Sequence, residues 1–300
     1  MLSVCIPVYN KNITKLLTEL MSQAKSLAEV EEIIILDDGS SVAIFDQTTL
    51  LEKVKIISNP TPHGRSAARN RLLNEAIGPY VLMLDSGSAI GCSAFLSTWI
   101  AELNRKKGLV YYGGSAYASD PPEDSYFLRW KVSTSRESKS FEFRKKNAST
   151  FKTNNVVIHQ QVFAKVRFNE KLIQYGHEDT LFGFELSEKN IEVFQVNNPV
   201  INELKDSNEE FLHKTKAAIE NLVLAAELAS SSTRFRQQIK LYDSYLKLKR
   251  FRLCFVLSWL DKAAMNWLTS ELLKGRSWSV LRKYDLYKLI LLNRILKVKA

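Results

Sequence analysis

Along the first two-thirds of the chain, apolar residues come in short uninterrupted runs separated by polar, glycine- and proline-bearing segments. Residues 2–8 (LSVCIPV), 32–36 (EIIIL), 54–57, 81–84 (VLML), 109–113, 151–158 and 192–196 read as strands. They are apolar at consecutive rather than alternate positions, as strands buried on both faces are. Between them lie helical segments. Leu16, Leu17, Leu20 and Met21 sit at helical spacing, residues 65–76 run up to the stop signal Gly78-Pro79, and 94–103, 160–166 and 180–189 continue the series. Strand–helix alternation of this kind predicts an α/β fold with a mostly parallel central sheet and helices on both faces. Residues 119–147, polar and charged around Trp130, read as a loop excursion over a site.

Beyond Asn202 the pattern becomes helical throughout. Phe211, Ile219, Leu222, Val223 and Leu228 lie along one face, and Ser230–Ser232 interrupts it. Phe235, Ile239, Tyr242 and Leu246 form the next face, opposite Arg236, Lys240, Lys247 and Arg250. Trp259, Leu260, Ala263, Trp267 and Leu272 carry the pattern to Gly275, and Tyr284, Tyr287, Leu291 and Leu292 resume it. The expected organisation is a domain over 1–204 followed by a C-terminal helical, basic amphipathic region over 205–300.

Charge sharpens this division. The chain carries a net +10, yet residues 234–300 hold 16 Lys and Arg against 4 Asp and Glu, so the body is slightly acidic. A near-neutral body argues against nucleic-acid binding. The basic helices with Trp259, Trp267 and Trp278 suit an anionic membrane surface; the same segment also suits a helical cap or a homodimer interface. Cys5, Cys92 and Cys254 are odd in number and show no metal spacing, which predicts reduced thiols. Residues 2–8 read as a core strand rather than a signal peptide, and no apolar run reaches the roughly 18–20 residues of a membrane span. The expected location is cytoplasmic, peripheral on the inner face of the plasma membrane.

Candidate chemistry gathers at strand ends. The strand 81–84 delivers Asp85, followed by Ser86-Gly87-Ser88, and 32–36 ends in Asp37-Asp38-Gly39-Ser40. In open α/β sheets ligands bind beyond the carboxyl ends of the strands. There is no G-x-G-x-x-G after the first strand, which argues against a dinucleotide-binding dehydrogenase. Acidic strand ends suit a uracil and a ribose, whose N–H and O–H groups donate to carboxylates, and repel bare phosphate.

The motifs IPVYN (6–10), ILDDGS (35–40), HGRSAARNRLLNEAIGPYVLMLDSGS (63–88), TNNVVI (153–158) and YGHEDTLFG (175–183) follow in order, each at a strand end or helix start. Together they resemble glycosyltransferase family 2, the nucleotide-sugar-dependent enzymes of GT-A fold. The wording RWK and YGHEDTLFG is similar to a bacterial branch that builds surface polysaccharides. The resemblance implies a UDP-sugar donor, a nucleotide pocket formed by Pro7, Tyr9, Asp38, Arg65, Arg69 and Asp85, and an inverting transfer. On that resemblance Tyr9 is expected against the uracil and Asp38 to accept its N3–H, while Asp37 forms the turn. Arg69 reaches the nucleotide, with Arg65 nearer the phosphates. By the same resemblance Asp179 is the candidate general base and Glu178 is expected to orient the acceptor or steady the loop; His177 reads as loop packing. Trp130 belongs with the donor or acceptor sugar. Asn154 and Asn155 either bind a sugar or satisfy backbone at a strand start.

The chain departs from the family at its metal. The second acid of the D-x-D is Gly87, and the histidine of the N-P-x-x-H pattern is Asn202. A divalent metal, Mn²⁺ or Mg²⁺, is expected from the family, yet only Asp85 remains as an acidic ligand. Three readings follow: transfer without a tightly bound metal, with Arg65, Arg69 or Lys11 balancing the diphosphate; a metal held mainly by the diphosphate and Asp85; or a catalytically degenerate nucleotide- or glycan-binding partner of another transferase. The leading expectation is transfer of a hexose or N-acetylhexosamine to a polysaccharide or lipid-linked glycan.

Overall fold

The computed structural model describes residues 1–46, 53–105, 108–147 and 151–299. The first strands and helices follow the sequence pattern closely: β1 (Leu2–Val8), α1 (Thr14–Ala24), β2 (Val30–Asp37), β3 (Val54–Ser58), α2 (Arg65–Glu75) and β4 (Tyr80–Leu84). Next come β5 (Ser88–Ile90), α3 (Phe95–Arg105), β6 (Val110–Tyr112) and β7 (Ser115–Tyr117). Short helices α4 (Phe127–Val132) and α5 (Phe141–Lys146) precede β8 (Asn155–His159), α6 (Glu178–Glu188), β9 (Val193–Gln195) and β10 (Val200–Asn202). Two compact units result. One comprises Met1–Ala118, Glu137–Ile173 and Glu178–Glu203; the other comprises Ser119–Arg136, Gln174–His177 and Leu204–Ala300.

The first unit is built on a seven-stranded sheet of order β3-β2-β1-β4-β8-β6-β9. Only β8 runs antiparallel to its neighbours; the other pairings are parallel. Strand periodicity sorts the apolar runs onto two faces. Val4, Ile6, Val8, Ile33, Ile35, Leu82 and Leu84 join Leu16, Leu17 and Leu20 of α1 and Phe95 and Trp99 of α3. Cys5, Ile34, Leu36, Val81 and Met83 join Ala68 and Leu72 of α2 and Phe182 and Leu186 of α6 on the other. A second, three-stranded sheet of order β5-β10-β7 is not foreshadowed by the apolar pattern, because each of its strands is three residues long.

The predicted loop over 119–147 is largely helical instead, containing α4, α5 and the short turns Asp124–Tyr126 and Ser133–Glu137. Its apolar anchors were too few to register as a period: Leu128 and Val132 are buried, and Ser140 caps α5 by accepting the Phe143 N–H. The predicted strand over 151–158 begins only at Asn155, and the helix read as 180–189 starts at Glu178, so both acids lie in its first turn.

The second unit holds α7 (Asn208–Leu228), α8 (Ser232–Gln238), α9 (Lys240–Arg250), α10 (Cys254–Leu273) and α11 (Val280–Val298), together with α4. A capping box between Ser207 and Glu210 starts α7. The sequence reading of α10 is corrected. Its buried face is Leu257, Met265, Leu268 and Leu272, and Trp259 and Trp267 lie on the exposed side. Among the described residues no helix is long and apolar enough to cross a membrane.

Candidate active site

Because β1 pairs in parallel with both β2 and β4, the segments following Val8, Asp37 and Leu84 leave the sheet at the same edge. Pro7 sits opposite Leu36 in that register. The Tyr9 ring is 53% exposed. Asn10 turns the chain with a positive φ of 48°, a conformation asparagine tolerates better than most residues. Its backbone N–H donates to Ser40 Oγ (2.8 Å), and its Oδ1 accepts from the Ser41 N–H (2.8 Å). The two loops are thereby tied together.

Asp37 and Asp38 divide their work. Asp37 Oδ1 accepts the Ser40 N–H (2.9 Å), forming the turn expected of it. Gly39 there has φ 77°, and a Cβ on it would lie 2.7 Å from the Thr61 carbonyl carbon, so both geometry and space call for glycine. The buried Asp38 carboxylate accepts from Asn59 Nδ2 (2.6 Å), His63 N–H (3.0 Å) and Gly64 N–H (2.9 Å). A carboxylate offers about four acceptor positions, so one is left for a ligand. Asp38 is therefore also the brace of the loop that launches α2.

A buried ionic cluster lies beyond that loop. Arg69 of α2 donates through Nη2 to Asp85 Oδ1 (2.8 Å) and through Nη1 to Glu178 Oε1 (3.0 Å), and its guanidinium lies over the Phe168 ring. Arg69, expected to reach the nucleotide, thus turns both Nη groups to protein carboxylates. Arg65 Nη1 stands 3.6 Å from the same Glu178 oxygen and is half-exposed. Burial alone would raise the Glu178 pKa; Arg69 and then Arg65 outweigh it and hold the carboxyl at about 2. Burial likewise opposes the Arg69 charge, but Asp85 and Glu178 more than compensate, so the guanidinium stays protonated.

Asp179 follows at once, and its environment is opposite in effect. Burial first, and the neighbouring Glu178 charge second, push its carboxyl up to about 6. Its Oδ1 accepts the Thr180 N–H (2.7 Å). Lys152, whose charge acts on Asp179 in the other direction, donates to Glu137 Oε2 (2.7 Å), and Tyr117 Oη donates to the same oxygen (2.7 Å). Burial opposes the Lys152 charge, and the Glu137 carboxylate nonetheless holds its pKa well above the ordinary lysine value. Lys152, Glu137 and Tyr117 carry no signal in sequence, since only the fold brings them together.

The two asparagines separate. Asn155 is wholly buried, and its Nδ2 donates to the carbonyls of Gly114 (3.0 Å) and Asn198 (2.7 Å), the backbone-satisfying alternative. Asn154 Nδ2 donates to Ser115 Oγ (2.8 Å) and to Asn202 Oδ1 (3.1 Å). Gly87 faces open space: a Cβ there would meet nothing within 4 Å. Its carbonyl accepts the Glu203 N–H (3.0 Å), and Glu203 Oε2 lies 3.3 Å from Lys11 Nζ. Trp130 and His177 belong to the second unit. The Trp130 ring is tilted against Phe127 on α4, and His177 has φ 69° next to Gly176, whose carbonyl accepts from Asn221 Nδ2.

Residues 3–170 match the model of the family described as glycosyl transferase family 2. The chain belongs to glycosyl transferase family 2. It is 25% identical over 255 residues to an uncharacterized glycosyltransferase of Haemophilus influenzae, covering 83% of this chain and 89% of that protein. It is 38% identical to an uncharacterized glycosyltransferase of Rickettsia conorii over 87 residues, 28% of this chain and only 14% of that protein's length. Its fold is similar to that of the mannosyltransferase PcManGT of Pyrobaculum calidifontis, solved with GDP-Man and Mn²⁺ (TM-score 0.56, 12% identity, 99% of this chain and 86% of that one). It is also similar to glucosyl-3-phosphoglycerate synthase of Mycobacterium tuberculosis, solved with Mn²⁺, UDP and glucosyl-3-phosphoglycerate (TM-score 0.52, 16% identity, 75% and 79%). The chain has the GT-A fold of these structures.

The donor set of this site does not fit a divalent ion. Asp85 is bonded to a guanidinium, position 87 has no side chain, and Asn202 Oδ1 already accepts from Asn154. Among the described residues no group of three His, Cys, Asp or Glu is arranged to hold a metal.

Proposed function

We propose that the enzyme is an inverting transferase that moves a hexose or N-acetylhexosamine from a UDP-sugar to a hydroxyl of a polysaccharide or lipid-linked glycan, with Asp179 as general base. The observation that carries this reading is the carboxylate pair opening α6. Glu178 is held ionised by Arg69, and that fixed charge helps raise Asp179 to about 6, where a carboxylate is a far better base than an ordinary aspartate. The exposed Tyr9 ring offers a face to a base, and the carboxylates of Asp38 and Asp85 offer acceptors to its N–H and to the ribose hydroxyls. Arg65, half-exposed at the start of α2, supplies a positive charge and helix N-terminal N–H groups toward phosphate.

In the transfer, Asp179 takes the proton of the acceptor hydroxyl as its oxygen forms a bond to the anomeric carbon. The bond from that carbon to the β-phosphate oxygen breaks on the opposite face, its electron pair leaving with UDP, so the anomeric configuration inverts. Asp179 acts only as the carboxylate. Turnover, followed as UDP release from a panel of UDP-sugars with glycan acceptors, is therefore expected to rise with pH through about 6 and then level off. A profile that is flat across this range, with chemistry rate-limiting, removes Asp179 from the role. A binding-only role is not favoured, because it gives no chemical reason to keep a raised carboxyl beside a fixed one.

The second unit supports peripheral attachment to an anionic membrane. Phe251, Phe255, Trp259 and Trp267 are each more than half exposed and step along one side of the chain leading into and through α10. Lys249, Arg250, Arg252 and Lys262 are exposed nearby. Aromatic side chains at headgroup depth flanked by basic residues give both apolar burial and attraction to anionic lipid. The full chain is expected to float with phosphatidylglycerol-containing vesicles, less so at high salt, and to lose flotation in the double variant Phe255→Ser/Trp259→Ser. Absence of salt-sensitive flotation rules the attachment out.

A further inference from the structure

We propose that Lys11 supplies, from this chain's own residues, the positive charge that a divalent metal supplies to the leaving diphosphate in relatives, so that transfer proceeds without a bound divalent ion. The inference rests on the UDP-sugar reading above and adds the group that balances the diphosphate. It starts from the misfit at the strand end. The acid expected at position 87 is glycine, its side-chain space is open, and the imidazole expected near the end of β10 is Asn202, whose Oδ1 is occupied. What stands beside Gly87 is Glu203, whose N–H donates to the Gly87 carbonyl (3.0 Å) and whose carboxylate draws Lys11 Nζ to 3.3 Å.

The route by which Lys11 gets there follows from topology. β1 and β4 are parallel neighbours, with Cys5 opposite Met83, so residues 9–11 and 85–87 emerge together from the same sheet edge. Asn10 in its left-handed conformation turns the chain just before Lys11. The result is a cation paired with Glu203, the residue whose N–H reaches the Gly87 carbonyl.

Among the cations near this edge, Arg69 is unavailable. It is buried and bonded to two carboxylates, and moving it would strand both charges. Lys11 is differently placed. Its side chain and that of Glu203 are 26% and 41% exposed, and a pair so wet holds its partners weakly. A nucleoside diphosphate carries more charge than one carboxylate and competes for the ammonium successfully. When the anomeric C–O bond breaks, the electron pair settles on the β-phosphate oxygen; the Lys11 ammonium hydrogen-bonds to that oxygen and keeps its proton. The ammonium thus meets the negative charge that develops on the leaving oxygen, the part of the metal's role that the proposal assigns to Lys11.

The test is calorimetric binding of UDP and of uridine to the full chain, each in EDTA and in Mn²⁺, for the native protein, Lys11→Met and Gly87→Asp. The native protein is expected to bind UDP equally in EDTA and Mn²⁺. Lys11→Met is expected to weaken UDP by about 10- to 100-fold and to leave uridine unchanged, since only the diphosphate loses a charge-assisted contact. Gly87→Asp, whose side chain enters open space, is expected to bind UDP more tightly in Mn²⁺ than in EDTA. Tighter UDP binding in Mn²⁺ by the native protein, or a Lys11→Met protein with an unchanged preference for UDP over uridine, overturns the proposal. A Gly87→Asp protein indifferent to Mn²⁺ overturns the account of why the metal is dispensable. Failure of both UDP and uridine to bind overturns the UDP-sugar reading itself, a result distinct from UDP binding that depends on Mn²⁺.

Discussion

Asp179→Asn is expected to lower turnover by about 10²- to 10⁴-fold while making the protein more stable at neutral pH. Both effects come from one feature. The Asp179 carboxyl is pushed up to about 6 by burial and by the Glu178 charge, so its ionised form is disfavoured in the folded chain relative to the unfolded one. Native stability therefore falls as pH rises from the ordinary aspartate value through about 6, and above that the full penalty applies, on the order of 2 kcal/mol. Asparagine cannot ionise, and its amide oxygen can still accept the Thr180 N–H that Asp179 Oδ1 accepts. The variant is thus expected to melt a few degrees higher than the native protein at neutral pH and no higher near pH 4. Unchanged turnover removes Asp179 as base; a melting difference that is the same at both pH values shows that the carboxyl is not held against its charge.

Arg69→Met is expected to be the most damaging single change to stability among the site residues, costing about 3–5 kcal/mol. Arg69 and Glu178 are nearly sealed from solvent, and Asp85 is about a third exposed. Removing the cation leaves two carboxylates facing each other around an apolar methionine. The sign of the pH dependence follows from Glu178, held at about 2 in the native protein. Its contribution is present above the ordinary glutamate value and is lost as pH falls toward 2. In the variant the carboxyl keeps only the half-exposed Arg65 and protonates at higher pH than in the native protein, so the stability gap narrows as pH falls from neutral toward 2. Urea unfolding of both proteins at neutral pH and near pH 4 measures that gap; an unchanged gap means the cluster is not what Arg69 supports.

The strands and helices that carry the site were legible in sequence where their apolar runs were long. LSVCIPV, EIIIL and VLML each bury side chains on both faces, and such runs have no other stable home than the middle of a covered sheet. The three-residue strands β5, β7 and β10 are too short for any period to appear. Arg144 shows the same limit for charge. It lies in the charged stretch 119–147 that reads as a loop excursion, yet it is buried and donates to the carbonyls of Tyr112, Gly113 and Val196. Its neighbours Lys145 and Lys146 give no hint, because burial of one member of a charge run depends on what the fold sets against it.

The acids and bases of the site were nameable from their motifs; their partnerships were not. Sequence alone determined that acids stand at strand ends, that Glu178 and Asp179 lie where a loop leads into a helix, and that position 87 has no side chain. Tertiary structure decided that Arg69 binds Asp85 and Glu178 rather than facing outward, and that Lys11 meets Glu203 beside Gly87. The physical reason is separation along the chain. Arg69 lies 109 positions from Glu178 and Lys11 lies 192 from Glu203, distances over which local propensity carries no information and only strand order brings side chains together.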